Sequence, residues 1–289
     1  VERLTRMLFR GLRERDLRMI WRVERDDRKS FLVGTAHFFP YSFKKSLRRL
    51  SERAEAVLFE GPLDQESMKK VVHAGVQGGD AESLLAELDE SIVAHITEAL
   101  FPPSPARSSV VGLELFNPQV KMSVSSLIEG MKPWMAFFSI YSRFVEQIGW
   151  RFSVDMEAYT LARQMGKNVV FMETIEEQIE VLESLSRPQI IDFLKRFDHW
   201  KSYTRDFVKW YLEADLERFA SNPYGFPTRN PRVIDERDRI FYERMQPYLA
   251  EGNAVAFVGS PHVVGISRML KEDKYAVEQC DALGKRRPH

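Results

Sequence analysis

The chain has 289 residues, 44 % of them hydrophobic, and 42 Lys plus Arg balance 42 Asp plus Glu, so it carries no formal net charge. That length fills one large core or two modest ones, and the charge balance argues against nucleic acid or an anionic membrane as the main partner. A single cysteine, Cys280, excludes an internal disulfide and a Cys-x-x-Cys metal knuckle, which suits a reducing, cytoplasmic compartment.

The first ~18 residues are broken by Arg too often to hold a secretory apolar stretch, and no run of ~18 apolar residues predicts a membrane span. The first strand is SFLVGTAH, residues 30–37. The helix SFKKSLRRLSERAEA follows, with Phe43, Leu47, Leu50 and Ala54 on one face, and then the strand EAVLFEG, residues 55–61. Residues from about 64 to 150 read as mostly helical, interrupted by the breaker cluster FPPSPARSS and a strand-like VVGLEL at 110–115. SVDMEAYTLARQMGK predicts a helix that gathers Val154, Ala158, Leu161, Ala162 and Met165 and stops at Gly166. The strand NVVFMET leads into the helix TIEEQIEVLESL, where Ile175, Ile179, Leu182 and Leu185 share a face and Thr174 with Glu177 forms a capping box. A second helical block spans about 187–220, and the loop SNPYGFPTRNP separates it from the helix IDERDRIFYERMQPYL. The last strand is AVAFVGSPH, residues 254–262.

These strands are nearly continuously apolar, as suits strands covered on both faces. Strands alternating with helices predict an α/β fold with a mixed, largely parallel central sheet flanked by helices. The blocks at roughly 64–150 and 187–230 read as helical insertions in a single domain over 1–289.

In an open α/β sheet, ligands bind beyond the carboxyl ends of the strands. Four expected strands end there in chemistry-bearing residues: His37, Glu60, Glu173 and His262. Gly34 and Gly259 open the two Gly-x-x-His turns, permitting a sharp bend or a close approach, and Pro261 stiffens the second. Two imidazoles and a carboxylate at such a rim have the donor types for a divalent ion that would activate water. Arg237 falls inside the apolar stripe of Ile234, Phe241, Met245 and Tyr248, and so needs an anionic partner. That partner is either a core carboxylate or a site group such as Glu60 or a substrate carboxylate. Asp155 is either a helix-terminus acid or an outer partner to a histidine. His73, His95, His199 and His289 sit in helical or tail contexts and read as structural or surface residues.

The ordered pieces IWRVE before SFLVGTAH, RAEAVLFEGPLD, KPWMAF, GWRFSVD, AxxxGKNVVFMETIEEQIEVL, DERDRI and AVAFVGSPHVVG resemble the TraB/PrgY/GumN family, which includes the TIKI proteins. The likeness spans about residues 20–279. It implies a fold related to erythromycin esterases and to a haem-binding (ChaN-like) lipoprotein group. It also implies an active centre at His37, Glu60 and His262, with Arg237, Asp155 and Glu173 on further family positions. The sequence departs from the family pattern at Ser153-Val154, at Met172, at Asp238 where Asn is usual, and at Ser260-Pro261.

The expectation is a metal-dependent hydrolase, first of all a peptidase. His37, Glu60 and His262 would be ligands of Mn²⁺, Co²⁺ or Zn²⁺, Glu60 the ligand or general base, and Arg237 an anion or Glu60 holder. One alternative is a metal-independent, esterase-type hydrolase with a histidine base. The other is a regulatory protein that sequesters a peptide signal without cutting it, since the name PrgY attaches to relatives involved in pheromone shutdown.

Overall fold

A computed structural model describes residues 14–76, 84–102, 123–221 and 223–286. Its centre is a six-stranded mixed sheet in the order β4-β3-β5-β2-β1-β6. The strands are β1 (Ile20–Arg25), β2 (Arg28–Thr35), β3 (Ala56–Phe59), β4 (Asn168–Phe171), β5 (Ala254–Gly259) and β6 (Ala276–Gln279). Four of them, β4, β3, β5 and β2, run parallel, and β1 and β6 extend the sheet antiparallel. The α/β class and the largely parallel sheet are as the sequence predicts. The strand expected at 110–115 lies outside the described residues.

Strands β1 and β6 fall outside the expected set. The run IWRVER interleaves Trp21 and Val23 with Arg22, Glu24 and Arg25, so it lacks the unbroken apolar signature of a central strand. Its charges are met locally and across the sheet, Arg22 pairing with Glu24 on the same strand at 3.3 Å and with Glu278 of β6 at 2.9 Å. Cys280, just past β6, is fully buried, with its N–H donating to the Ile20 carbonyl at 3.0 Å.

Among the described residues twelve α-helices accompany the sheet. They are α1 (Lys44–Arg53), α2 (Gln65–Gly75), α3 (Glu90–Leu100), α4 (Val124–Ile128), α5 (Pro133–Gln147), α6 (Val154–Gln164), α7 (Ile175–Glu183), α8 (Arg187–Lys195), α9 (Trp200–Glu213), α10 (Leu216–Ser221), α11 (Pro231–Glu251) and α12 (His262–Glu272). The expected apolar faces are the buried ones: Phe43, Leu47 and Leu50 for α1, and Val154, Ala158, Leu161 and Ala162 for α6. The capping box at the start of α7 is present, with Thr174 accepting from Glu177 N–H and Glu177 accepting from Thr174 N–H.

Two apolar clusters result. One packs α1, α6, α11 and α12 on the sheet around Phe59, Phe241, Phe257 and Tyr211. The other is built by α3, α4, α5, α8 and α9 around Phe137, Phe193 and Trp200. Phe207 and Val208 of α9 touch both. Tyr211, one turn on, packs its ring at a tilt 4.6 Å from Phe39 and donates its buried hydroxyl to the Gly34 carbonyl at 2.7 Å. The helical layer is thereby tied to the end of β2, three residues before His37.

Replacing Tyr211 by Phe removes one buried hydrogen bond while keeping the ring. The expected loss is about 1 kcal/mol in denaturant-measured stability, and an unchanged midpoint would show that the hydroxyl does not anchor β2.

Candidate functional site

Because β2, β3, β4 and β5 are parallel and in register, with Thr35 opposite Gly259 and Phe59 opposite both Phe257 and Phe171, their carboxyl ends open on one edge. His37, Glu60, Glu173 and His262 all follow those ends within three residues. The turns are tied to one another. Ser260 N–H and hydroxyl both donate to the Thr35 carbonyl, at 3.1 and 2.7 Å, and Glu173 N–H donates to the Glu60 carbonyl at 2.6 Å.

Arg237, on α11, sits at the centre. Its Nε and Nη2 donate to the two oxygens of Glu173 at 2.9 and 2.8 Å, a bidentate pair. Nη2 also donates to Glu60 Oε2 at 2.9 Å. The guanidinium lies 4.8 Å over the Phe241 ring, one turn along α11. Both partners left open by the sequence, core carboxylate and site carboxylate, are therefore engaged at once. The other Glu60 oxygen accepts the Gly259 N–H at 2.6 Å. A Cβ on Gly259 would come within 3.2 Å of that same oxygen. The glycine ahead of the second histidine thus serves the approach of Glu60 to the backbone.

The electrostatics follow. Burial pushes the Glu60 carboxyl up, but Arg237, His262, His37 and the Gly259 N–H together outweigh burial and bring it down to about 2. Glu173 is the most buried of the group. Burial raises it, only partly countered by Arg237, and the neighbouring Glu60 charge raises it further. Burial pushes the Arg237 guanidinium down, but Glu60 and Glu173 outweigh it and leave the net shift upward, so it is always a cation.

Each histidine is backed by a buried acid. His37 Nδ1 stands 3.0 Å from Asp155 Oδ2, because Ser153 caps α6 through Met156 N–H and the Val154 N–H binds the Ala36 carbonyl, bringing the start of α6 beside the end of β2. Of the two options for Asp155, the histidine contact is the one formed. The Asp155 charge is the main cause that raises the His37 ring from 6.5 to about 9, against burial and with a smaller push from Glu60. The His37 side chain is nonetheless 66 % exposed, so solvent screens the pair and its worth to stability is small. His262, the first residue of α12, is buried; its Nδ1 lies 2.6 Å from Asp238 Oδ1. Its Nε2 is 3.7 Å from Glu60 Oε1 and 3.5 Å from Arg237 Nη1. The Phe241 ring meets the imidazole edge-to-face at 5.2 Å.

All six sequence candidates are thus at this rim. Four of them, Glu60, Glu173, Arg237 and His262, form one contact network, and His37 with Asp155 is coupled to it through the charge of Glu60. Asp238 was visible in the sequence only as a departure from the family pattern. The signal that finds it is helical: His262 and Gly265 lie at i and i+3 on α12 and so face one neighbour, and that neighbour is the α11 residue after Arg237. Of the remaining histidines, His73 and His199 are exposed, His95 pairs with Asp198 at 2.7 Å, and His289 lies outside the described residues.

The donor types suit a divalent ion: two imidazoles, each with a carboxylate at Nδ1, plus Glu60. The arrangement does not gather them. Glu60 gives one oxygen to Arg237 and the other to Gly259 N–H, and a guanidinium nitrogen stands 3.5 Å from the very nitrogen of His262 that would ligate. Among the described residues no group of three or more His, Cys, Asp or Glu is placed to hold an ion. An ion would require Arg237 to release Glu60 and withdraw from His262.

The TraB/PrgY/gumN family model matches residues 19–279, nearly the whole chain, and the chain belongs to that family. No curated protein matches it. Among the described residues no helix is long and apolar enough to cross a membrane.

Arg237→Ala leaves Glu60 and Glu173 buried without a cation, and is expected to cost about 3–5 kcal/mol in denaturant unfolding. Adding Glu173→Gln to it should restore part of that loss, and no restoration would mean that the buried charge is not the cause. The His37 ring is expected to titrate near 9 by NMR and to fall toward 6.5 in Asp155→Asn. Since the folded value is raised, any stability it contributes is complete below 6.5 and is lost as pH rises through 9. A wild-type value near 6.5 would contradict the pairing.

Proposed function

We propose that this member of the TraB/PrgY/gumN family is a hydrolase of acyl bonds, peptide bonds first, that activates water at the carboxyl edge of the sheet. The observation that carries the reading is the pair of carboxylate-backed histidines set around an Arg-held Glu60. A guanidinium only donates hydrogen bonds, so the nitrogen of His262 that faces Arg237 Nη1 presents a lone pair, and Nδ1 carries the proton toward Asp238.

In this reading a water takes the place of that long contact and gives its proton to His262 Nε2 as its oxygen attacks the acyl carbon. Glu60, ionised and 3.7 Å away, stabilises the imidazolium that forms. His37, raised to about 9, is the cationic partner at neutral pH: it donates a hydrogen bond to the developing oxyanion or a proton to the leaving group. Arg237 holds Glu60 in place throughout.

The metal-dependent form of the same hydrolase, with Mn²⁺, Co²⁺ or Zn²⁺, is the second reading. It is favoured by the second-sphere carboxylate on each histidine. An ion bound there would lower the pKa of water and polarise the carbonyl, and His37, Glu60 and His262 would hold it once Arg237 had moved.

The test is turnover of a peptide library and of simple aryl esters by purified protein, before and after exhaustive chelation, with metal content measured in parallel. Retained turnover after chelation and a ~10²–10⁴-fold lower kcat in His262→Ala are the expected results. Turnover that needs a stoichiometric ion would replace the first form by the second. Peptide binding with no turnover at all would remove the hydrolase and leave a sequestering protein.

A further inference from the structure

We infer that Asp238 is a positioning residue for His262, and that Gly265 is the space it requires. Together they hold the imidazole with its proton on Nδ1 and its lone pair on Nε2, toward Glu60. The inference rests on the proposed role of His262 as base, but it concerns a feature of the fold that can be read without turnover.

Three observations converge. The first is the contact itself: Asp238 Oδ1 lies 2.6 Å from His262 Nδ1, and both side chains are buried, at 5 % and 4 % exposure. An ionised carboxylate accepts hydrogen bonds and does not donate, so it selects the ring tautomer with Nδ1–H. The second is the room made for it. A Cβ at position 265 would fall 1.8 Å from Asp238 Oδ2 and 2.8 Å from its carboxyl carbon. Real Cβ contacts are essentially never that short, so a side chain at 265 must displace either the Asp238 carboxylate or the α11–α12 crossing that holds it against the ring. Gly265 lies within α12, where glycine costs about 1 kcal/mol relative to Ala, and the close crossing of α11 over α12 is what that cost provides. The third is the far side of the ring. Phe241 meets it edge-to-face and Arg237 Nη1 faces Nε2. With the carboxylate in place, the ring is bounded by fixed groups on three sides.

An Asn at 238 keeps the size and removes the constraint. Its amide can turn its NH₂ toward Nδ1, which moves the ring proton to Nε2 and removes the lone pair that would accept a proton from water. A glutamate does not fit the same space, because Oδ2 already lies against Gly265.

The test is the histidine ¹⁵N–¹H correlation spectrum of the neutral His262 ring in wild type, Asp238→Asn, Gly265→Ala and the control Val264→Ala, whose side chain is exposed on the same helix. Wild type and the control are expected to show the proton on Nδ1. Asp238→Asn and Gly265→Ala are expected to show it on Nε2 or to show a mixture, the second variant doing so with the acid still at 238. Where turnover is measurable, both variants should lower kcat by ~10-fold or more, up to the ~10⁴-fold that a wrong tautomer can cost, with KM within about threefold. If Gly265→Ala does not fold, Asp238→Asn decides. An Nδ1–H ring persisting in Asp238→Asn overturns the inference, whatever the activity. A wild-type protein without turnover removes the hydrolase reading, and the spectra still decide the role of Asp238.

Discussion

The site depends on one charge arrangement: a single guanidinium shared by two buried carboxylates from neighbouring strands. Arg237 donates to Glu173 through two nitrogens and to Glu60 through one. Removing three charged groups from water is costly, and only close pairing with satisfied hydrogen bonds makes it tolerable. Here the remaining Glu60 oxygen is met by Gly259 N–H, and the glycine leaves room for the carboxylate to come that near the backbone. The charge arrangement therefore ties the ends of β3, β4 and β5 to α11.

The two histidines differ in consequence. His37 projects from the end of β2 into solvent with Asp155 behind it, and the charge of that acid raises its ring above the usual histidine value. His262 is enclosed between Asp238, Phe241, Glu60 and Arg237. The matched Gly-x-x-His turns thus deliver the same side chain into two environments. The backing acids come from different places, one from the first turn of α6 and one from the middle of α11, so the likeness of the two turns does not extend to their surroundings.

Much of this was legible in the sequence, for physical reasons. Buried parallel strands must be apolar on both faces, so SFLVGTAH, EAVLFEG and AVAFVGSPH announce themselves, and the polar residue ending each must lie at the sheet edge. An Arg amid Ile234, Phe241 and Met245 is incompatible with an unpaired interior charge, so a carboxylate partner was required, though not which of the two. Strands β1 and β6 were hidden because their antiparallel pairing tolerates charged residues, Arg22 meeting Glu24 along β1 and Glu278 across on β6. Asp238 was hidden because its partner is 24 residues away and its space is made by a glycine on another helix. What an ion would need was hidden as well: spacing gives donor types, and only the fold shows Arg237 standing among them.

The most direct measurement of the central claim is a double-mutant cycle on the Arg237–Glu60 pair, using Arg237→Met, Glu60→Gln and the double variant, followed by denaturant unfolding at neutral pH. A shared buried charge predicts single losses that do not add, with a coupling on the order of 1–3 kcal/mol. Losses that add to within about 0.5 kcal/mol would mean that the two groups do not meet in the folded protein, and the site described above would not exist in solution.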